Sequence, residues 1–269
     1  MIAALLLGCG PPAPLVAEDL PAPQRRFIVG NEARHDLFAP TLTGRGGAFM
    51  CVGGDHCYTL LALASADVAV LVDHDPRVVE LHHELGRRVA AADPAAFLAS
   101  LGTPAAGLTE SWPIITDHLH RVAERRSTWL SDPVLYARLR ERWHAVHPVV
   151  GDLAGEQTLP SIAAFARTRD YTFTAIYLSN AEETLTDRGR LRRNLAALPR
   201  SADCVLMRTF YLPDWPAADG LWSYQVHSLS DYLLHAGDPP ADMATIVADA
   251  RARGVLHIDA SQPAFSIVR

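Results

Sequence analysis

AFMCVGGDHCYTLLALASADVAVLVDHDP, residues 48–76, joins two apolar runs through a glycine pair and an acid, and closes the second run with Asp-His-Asp-Pro. The run AFMCV (48–52) has the length and composition of a buried strand that stops at Gly53-Gly54. After Asp55, HCYTLLALASA suits a helix. From Asp67 the run VAVLV is uniformly apolar and β-branched at alternate positions, and it ends at Asp73. Such runs belong to parallel sheets covered on both faces. Pro76 fits the first turn of a helix over RVVELHHELGRRVAAA, with Asp75 as its cap. The stretch therefore reads as a strand–helix–strand unit followed by a further helix.

The same alternation continues outward. Upstream, RRFIVGNEARHDLF reads as a possible strand followed by a polar turn. Downstream, residues 92–147 are helical in tendency and broken by prolines at 94, 104, 113 and 133, too long for a simple crossover and so a helical insertion. Then come a short strand in VHPVVGDL, a helix in SIAAFARTRD, a strand in FTAIYLSNAEE and a helix in LTDRGRLRRNLAAL. A strand over 201–210, a helix over about 241–253 and a last strand, GVLHI, complete the pattern. It predicts an α/β fold: a three-layer Rossmann-like sandwich with a mostly parallel sheet, right-handed parallel crossovers and a helical insertion after the second core strand. A ligand is expected at the C-terminal edge of the strands, where strand order reverses.

With 269 residues, 49% of them hydrophobic and 20% charged, the chain has material for one large domain, assigned to residues 25–269. A net charge of −6 offers phosphate backbones no general attraction, so nucleic acid is not an expected partner. The densest basic cluster, Arg188, Arg190, Arg192 and Arg193, fits the polar side of a helix. MIAALLLGCGPPAPLVAED ends as a bacterial lipoprotein signal does, with Leu6-Leu7-Gly8-Cys9 as the lipobox-like element. Residues 1–24 are thus expected to be a signal or tether, with a lipid anchor at Cys9 and a cell-envelope location. The short apolar run, with no preceding Lys or Arg, leaves a tail on a cytoplasmic protein as the alternative. No Cys-x-x-Cys or zinc spacing occurs. Cys51 and Cys204 lie in apolar runs and read as packing residues, and a Cys51–Cys57 pair is left open. His82, His83, His118, His120, His144 and His147 lie on helical segments without a carboxylate pattern, which reads as solvated or core-edge residues; no metal site is expected.

The strand ends supply the candidate site: Gly53, Gly54 and Asp55; Asp73; Asp152; Ser179, Asn180 and Glu182. Glycines after a first strand let a ligand approach the backbone, an acid after the second can accept from ribose hydroxyls, and an Asp after the third can bond an exocyclic amine. Each also has a plain alternative, as turn, cap or loop closure. NEARHDLF (31–38) is dense in polar groups and reads either as a lid over the pocket or as a self-paired surface turn. Its His35 is the nearby candidate base with an ordinary pKa near neutrality.

This order of glycine turn, acid-terminated strand, Gly-Asp and polar strand end resembles class I S-adenosylmethionine-dependent methyltransferases over roughly residues 45–210. VLVDHDPRVVELHH also resembles the polyamine-synthase branch of that fold. FIVGNEARHDLF, VGGDHCY and YLSNAEE are similar to a methyltransferase-like family known from leptospires. The resemblance implies Gly53 and Gly54 beside the methionine part of S-adenosylmethionine, with Asp55 of the same turn among the cofactor-binding residues, Asp73 on the ribose, Asp152 near adenine, and Ser179 and Asn180 facing the methyl-transfer locus. Asn180 would position an acceptor, and Glu182 or His35 would accept a proton. The usual third glycine, and the acid before the motif, are missing. Two functions follow: a methyltransferase-like protein acting on a small molecule, or an exported non-catalytic lipoprotein of the same fold that binds another ligand or a protein partner.

Overall fold

The computed structural model describes residues 12–20, 27–237 and 240–269; the lipobox-like residues 6–9 lie outside these ranges. The chain runs through α1 (Ala39–Leu42), β1 (Ala48–Val52), α2 (His56–Ala64), β2 (Val68–Asp73) and α3 (Pro76–Val89). The insertion follows as α4 (Pro94–Ala99), α5 (Trp112–Glu124) and α6 (Pro133–Arg142). Next are β3 (Val146–Val150), α7 (Thr158–Arg167), β4 (Phe173–Tyr177), α8 (Arg188–Ala197) and β5 (Arg200–Phe210). The chain closes with β6 (Ser223–Ser228), α9 (Leu229–His235), α10 (Met243–Ala252), β7 (Leu256–Asp259) and β8 (Gln262–Val268).

All five residues of β1 are buried, as a strand flanked on both sides and covered on both faces requires. It pairs in parallel with β2, Ala48 opposite Val68, and with β4 on its other edge. The sheet order is β3-β2-β1-β4-β5-β6-β8-β7, so the chain builds outward from β1 in one direction and then crosses back to β4. Strand order thus reverses between β1 and β4, and the C-terminal ends of those two strands form the natural mouth of the sheet. Pleating sends Phe49 and Cys51 into one core and Ala48, Met50 and Val52 into the other. α2 contributes Leu60 and Leu61 to the first core, while α7 and α8 contribute Ile162 and Leu191 to the second, giving three layers.

The helical insertion is part of the first core. Trp129, fully buried, meets the Tyr58 ring edge-on at 5.1 Å and the Phe97 ring at 4.9 Å. Asp75 caps α3 as expected, accepting from the Arg77 backbone N–H, with Pro76 in the first turn.

Four expectations are corrected. No strand forms over 27–34; the backbone N–H groups of Ala33 and Arg34 donate to the Tyr224 hydroxyl instead of to a ladder, and His35–Phe38 makes a single 3₁₀ turn into α1. Not every crossover is parallel, because β6 runs antiparallel to β5 and β7 to β8. The expected tether is docked over residues 12–20: Glu18 N–H donates to the Val150 carbonyl at 3.0 Å and Val16 N–H to Ser161 Oγ at 2.9 Å, backbone bonds that fix the segment along β3 and α7. Of the two readings of the helical histidines, solvated or core-edge, the first is corrected for His82 and His118: both are buried, each held by hydrogen bonds. The pair left open by sequence is closed, since Cys51 and Cys57 form a disulfide across the glycine turn, whereas Cys204 is a free buried cysteine.

A candidate ligand site at the switch point of the sheet

Gly53 takes a φ of +102°, a backbone region that side chains disfavour, and so turns the chain from β1 into α2. Its carbonyl accepts from His82 Nε2 at 2.9 Å, and His82 Nδ1 accepts from the Tyr58 hydroxyl at 2.7 Å. Burial holds the His82 pKa down to about 4, so the imidazole is neutral and makes both bonds as a single tautomer. The open side of Gly53 is taken by His56: a Cβ on Gly53 would lie 2.7 Å from His56 Cε1. His56 Nε2 donates to the Val52 carbonyl at 3.1 Å. Its Nδ1 is buried and has no hydrogen-bond partner among the described residues.

NEARHDLF folds over this turn. Glu32, buried, accepts at Oε1 from Thr209 at 3.0 Å, from the Tyr177 hydroxyl at 3.3 Å and from the Ser179 hydroxyl. Burial alone would raise the Glu32 pKa, but His56, His35 and the Ser179 and Thr209 hydroxyls outweigh it and hold the carboxylate below its ordinary value. The His35 ring stacks on His56 with centroids 4.8 Å apart, and His35 Nε2 bonds the Tyr177 hydroxyl at 3.0 Å. Burial, then His56, pushes the His35 pKa down to about 3, which removes it as a base poised near neutrality. Between this segment, α2 and α5 lies a cavity of about 20 Å³ lined by Glu32, His35, Asp55, His56 and His118. That is room for about one water.

Of the residues expected at the site, Asp55 and His35 line this chamber, while Gly53 and Ser179 stand behind it, in contact with His56 and Glu32. Asp55 does not face a cofactor: it is buried, accepting from His118 Nε2 at 2.8 Å and Trp129 Nε1 at 3.4 Å, and so ties the insertion to the glycine turn. Gly54 is covered by the Ile28 carbonyl, 3.7 Å from where its Cβ would be. Ser179, in a left-handed conformation at φ +54°, bonds Glu32, and Asn180 borders it through a 3.4 Å contact from Ser179 Oγ. Asp73 stands at the next strand end; one carboxylate oxygen accepts from Asp75 N–H at 2.8 Å, and burial raises its pKa. At the end of β3, the Glu18 carboxylate accepts from the backbone N–H of Asp152 at 2.8 Å and of Gln157 at 2.9 Å, while the Asp152 side chain only closes a local turn to Ala154 N–H. Glu182 points elsewhere, to the fully buried Arg208 at 2.6 Å, which also bonds Gln225 and His227. The pairing removes Glu182 as a proton acceptor at the chamber; its other oxygen is unpartnered beside a separate cavity of about 310 Å³ lined by Arg188, Tyr211 and Met243.

Sequence reasoning missed Glu32 and His56. The signal for Glu32 lay in the polar density of NEARHDLF, and that for His56 in its place directly after the glycine turn and Asp55.

A Rossmann-like α/β protein whose switch-point rim is occupied by its own side chains is the class these features define. The chain belongs to the family described as a domain of unknown function, DUF7790, which matches residues 27–127 and 105–259. No curated protein matches the chain. Among solved structures, the chain is similar to the YcgJ protein from Bacillus subtilis, at 11% identity and a TM-score of 0.37, over 82% of this chain and 67% of that one. It is also similar to the rRNA methyltransferase aviRa from Streptomyces viridochromogenes, at 17% identity and a TM-score of 0.34, over 68% and 74%. The fold assignment here rests on the sheet order itself.

Proposed function

We propose that this protein is a non-catalytic, ligand-binding form of the methyltransferase-like scaffold, with its donor cleft closed by its own chain. The observation that carries this reading is the His56 ring seated on Gly53, where the resemblance would put the methionine end of S-adenosylmethionine. Glu18 reinforces it at the other end, by taking the backbone donors after β3 that an adenine-bearing ligand would need. A ligand of that size requires several hundred Å³, far beyond the chamber's room for one water. Calorimetric titration of the full chain with S-adenosylmethionine and with S-adenosylhomocysteine tests this. No saturable heat is expected with either; specific binding that is lost in Asp73→Ala overturns it.

Asp73 supports a second reading. Its carboxylate sits at the end of β2, where one oxygen accepts from the Asp75 N–H and has His74 Nδ1 at 3.6 Å, the position suited to ribose hydroxyls. In that reading S-adenosylmethionine enters once the Glu18 segment withdraws, and Glu18→Ala alone creates measurable binding. We further propose that the protein works in the cell envelope, anchored through Cys9; the Cys51–Cys57 disulfide supports an oxidising compartment. Radiolabelled palmitate incorporated by the natural chain and not by Cys9→Ser is the expected result.

A further inference from the structure

Glu32, His35 and His56 each place one potential ligating atom within 4.8 Å of the others. Their state is unusual for a merely structural cluster. The His56 side chain is only 9% exposed and its Nδ1 is unpartnered, with Glu32 Oε2 the facing acceptor at 4.0 Å. A buried ring nitrogen that faces a carboxylate oxygen with no hydrogen bond between them is a polar pair left open for a bridging ligand. Because the Tyr177 hydroxyl donates to Glu32, His35 Nε2 donates to Tyr177 and Nδ1 is the free nitrogen of that ring. The space is also kept clear by the backbone: a Cβ on Gly30 would fall 2.9 Å from His56 Nδ1 and 3.2 Å from Glu32 Oε2.

We propose that Glu32, His35 and His56 bind a divalent transition-metal ion, with zinc as the probe. His56 Nδ1 and Glu32 Oε2 stand 4.0 Å apart and must close by roughly 0.6 Å to reach the spacing of about 3.4 Å that two ligands take on a tetrahedral zinc with bonds of about 2 Å, while the His35 ring, stacked 5° from parallel with His56, turns to aim its nitrogen at the same ion. Outer contacts have the form such sites use: His56 donates its other ring N–H to the Val52 carbonyl, and the second Glu32 oxygen is held by Thr209, Tyr177 and Ser179. The neighbouring cavity supplies a water as fourth ligand. No spacing motif announces the set, since two ligands lie before β1 and the third opens α2.

This deepens the binding-protein reading by naming what is bound, and its test is separate: S-adenosylmethionine titration decides that reading whatever zinc does. The tag-free full chain, stripped by chelator and dialysed, is titrated with Zn²⁺ against a chromogenic chelator, and with Co²⁺ by visible absorption. One equivalent is expected, with tetrahedral Co²⁺ bands, unchanged in the rim variant His74→Ala. Binding is expected to weaken about a hundredfold or more in Glu32→Gln and His56→Ala. Gly30→Ala, which fills the space and spares the ligands, is expected to weaken it as well and serves if His56→Ala does not fold. Cys51, His56 and Cys57 also lie close enough to share an ion once their disulfide opens, so the titration is repeated after reduction and alkylation. Persistence after alkylation supports the site. Absence of binding, survival in both ligand variants, or loss on alkylation overturns it.

Discussion

Asp55→Ala tests how the insertion is attached to the switch point. The Asp55 carboxylate is buried and accepts from two buried donors, His118 Nε2 at 2.8 Å and Trp129 Nε1 at 3.4 Å. Burial would raise its pKa, but His118 and its hydrogen bond outweigh that and hold it far below the ordinary carboxylate value, so it is ionised throughout the usual range. Truncation strands both donors at about 1–3 kcal/mol each, about 2–6 kcal/mol together, a span that brackets the about 3–5 kcal/mol for removing one partner of a buried ionic contact. For a domain of this size that lowers Tm by about 6–20 °C. Asp55→Asn keeps one acceptor and is expected to lose about half as much. Scanning fluorimetry with urea unfolding reads both, and His118→Ala with Asp55→Ala is expected to cost less than the sum of the two. A Tm for Asp55→Ala within about 2 °C of the natural chain, or equal effects of Ala and Asn, refutes the reasoning.

Burial holds His82 at about 4, against 6.5 for an ordinary imidazole, so the unfolded chain takes up the proton first. Its contribution, about 3 kcal/mol, is complete above pH 6.5 and is lost as pH falls towards 4. Glutamine can accept from Tyr58 and donate to Gly53; His82→Gln is therefore expected to narrow the gap in urea midpoint between about pH 7.5 and about pH 4.5. The gap narrows without closing, because His227, pushed to about 3 by burial and then Arg208, adds in the same direction. Gly53→Ala is expected to lose about 2 kcal/mol through its positive φ and its contact with His56, and His56→Ala to restore part of that in the double variant, as urea unfolding would show. Replacing Cys51 and Cys57 together by serine opens a loop of six-residue separation and is expected to lower stability by about 2 kcal/mol, read the same way.

The strand–helix–strand unit from 48 to 76 was legible because its strands are apolar on both faces and its turn residues are glycine and acid. β6 was hidden by its own chemistry. Ser223, Gln225 and His227 alternate along it as buried polar residues, and only the partners on β5 make that pattern a strand. Gly53, Asp55 and Ser179 could be named because strand ends can be named, and His35 because residues 31–38 are dense in polar groups. The Glu32–His56 opposition could not, since it depends on a segment folding back over β1. Residues 12–20 lack any periodicity; what fixes Glu18 is a set of N–H groups, one just after β3 and two at the start of α7, that no local sequence reveals.

Arg208 carries an implication for the order of assembly. Two of its three partners, Gln225 and His227, come from the adjacent antiparallel strand, with Arg208 directly opposite Gln225. A guanidinium that must leave water can therefore be solvated by its own hairpin before the wider sheet closes around it. The β5–β6 ribbon can enter the sheet as a preassembled, hydrogen-bonded unit, with Glu182 supplying the counter-charge when the β4 end docks.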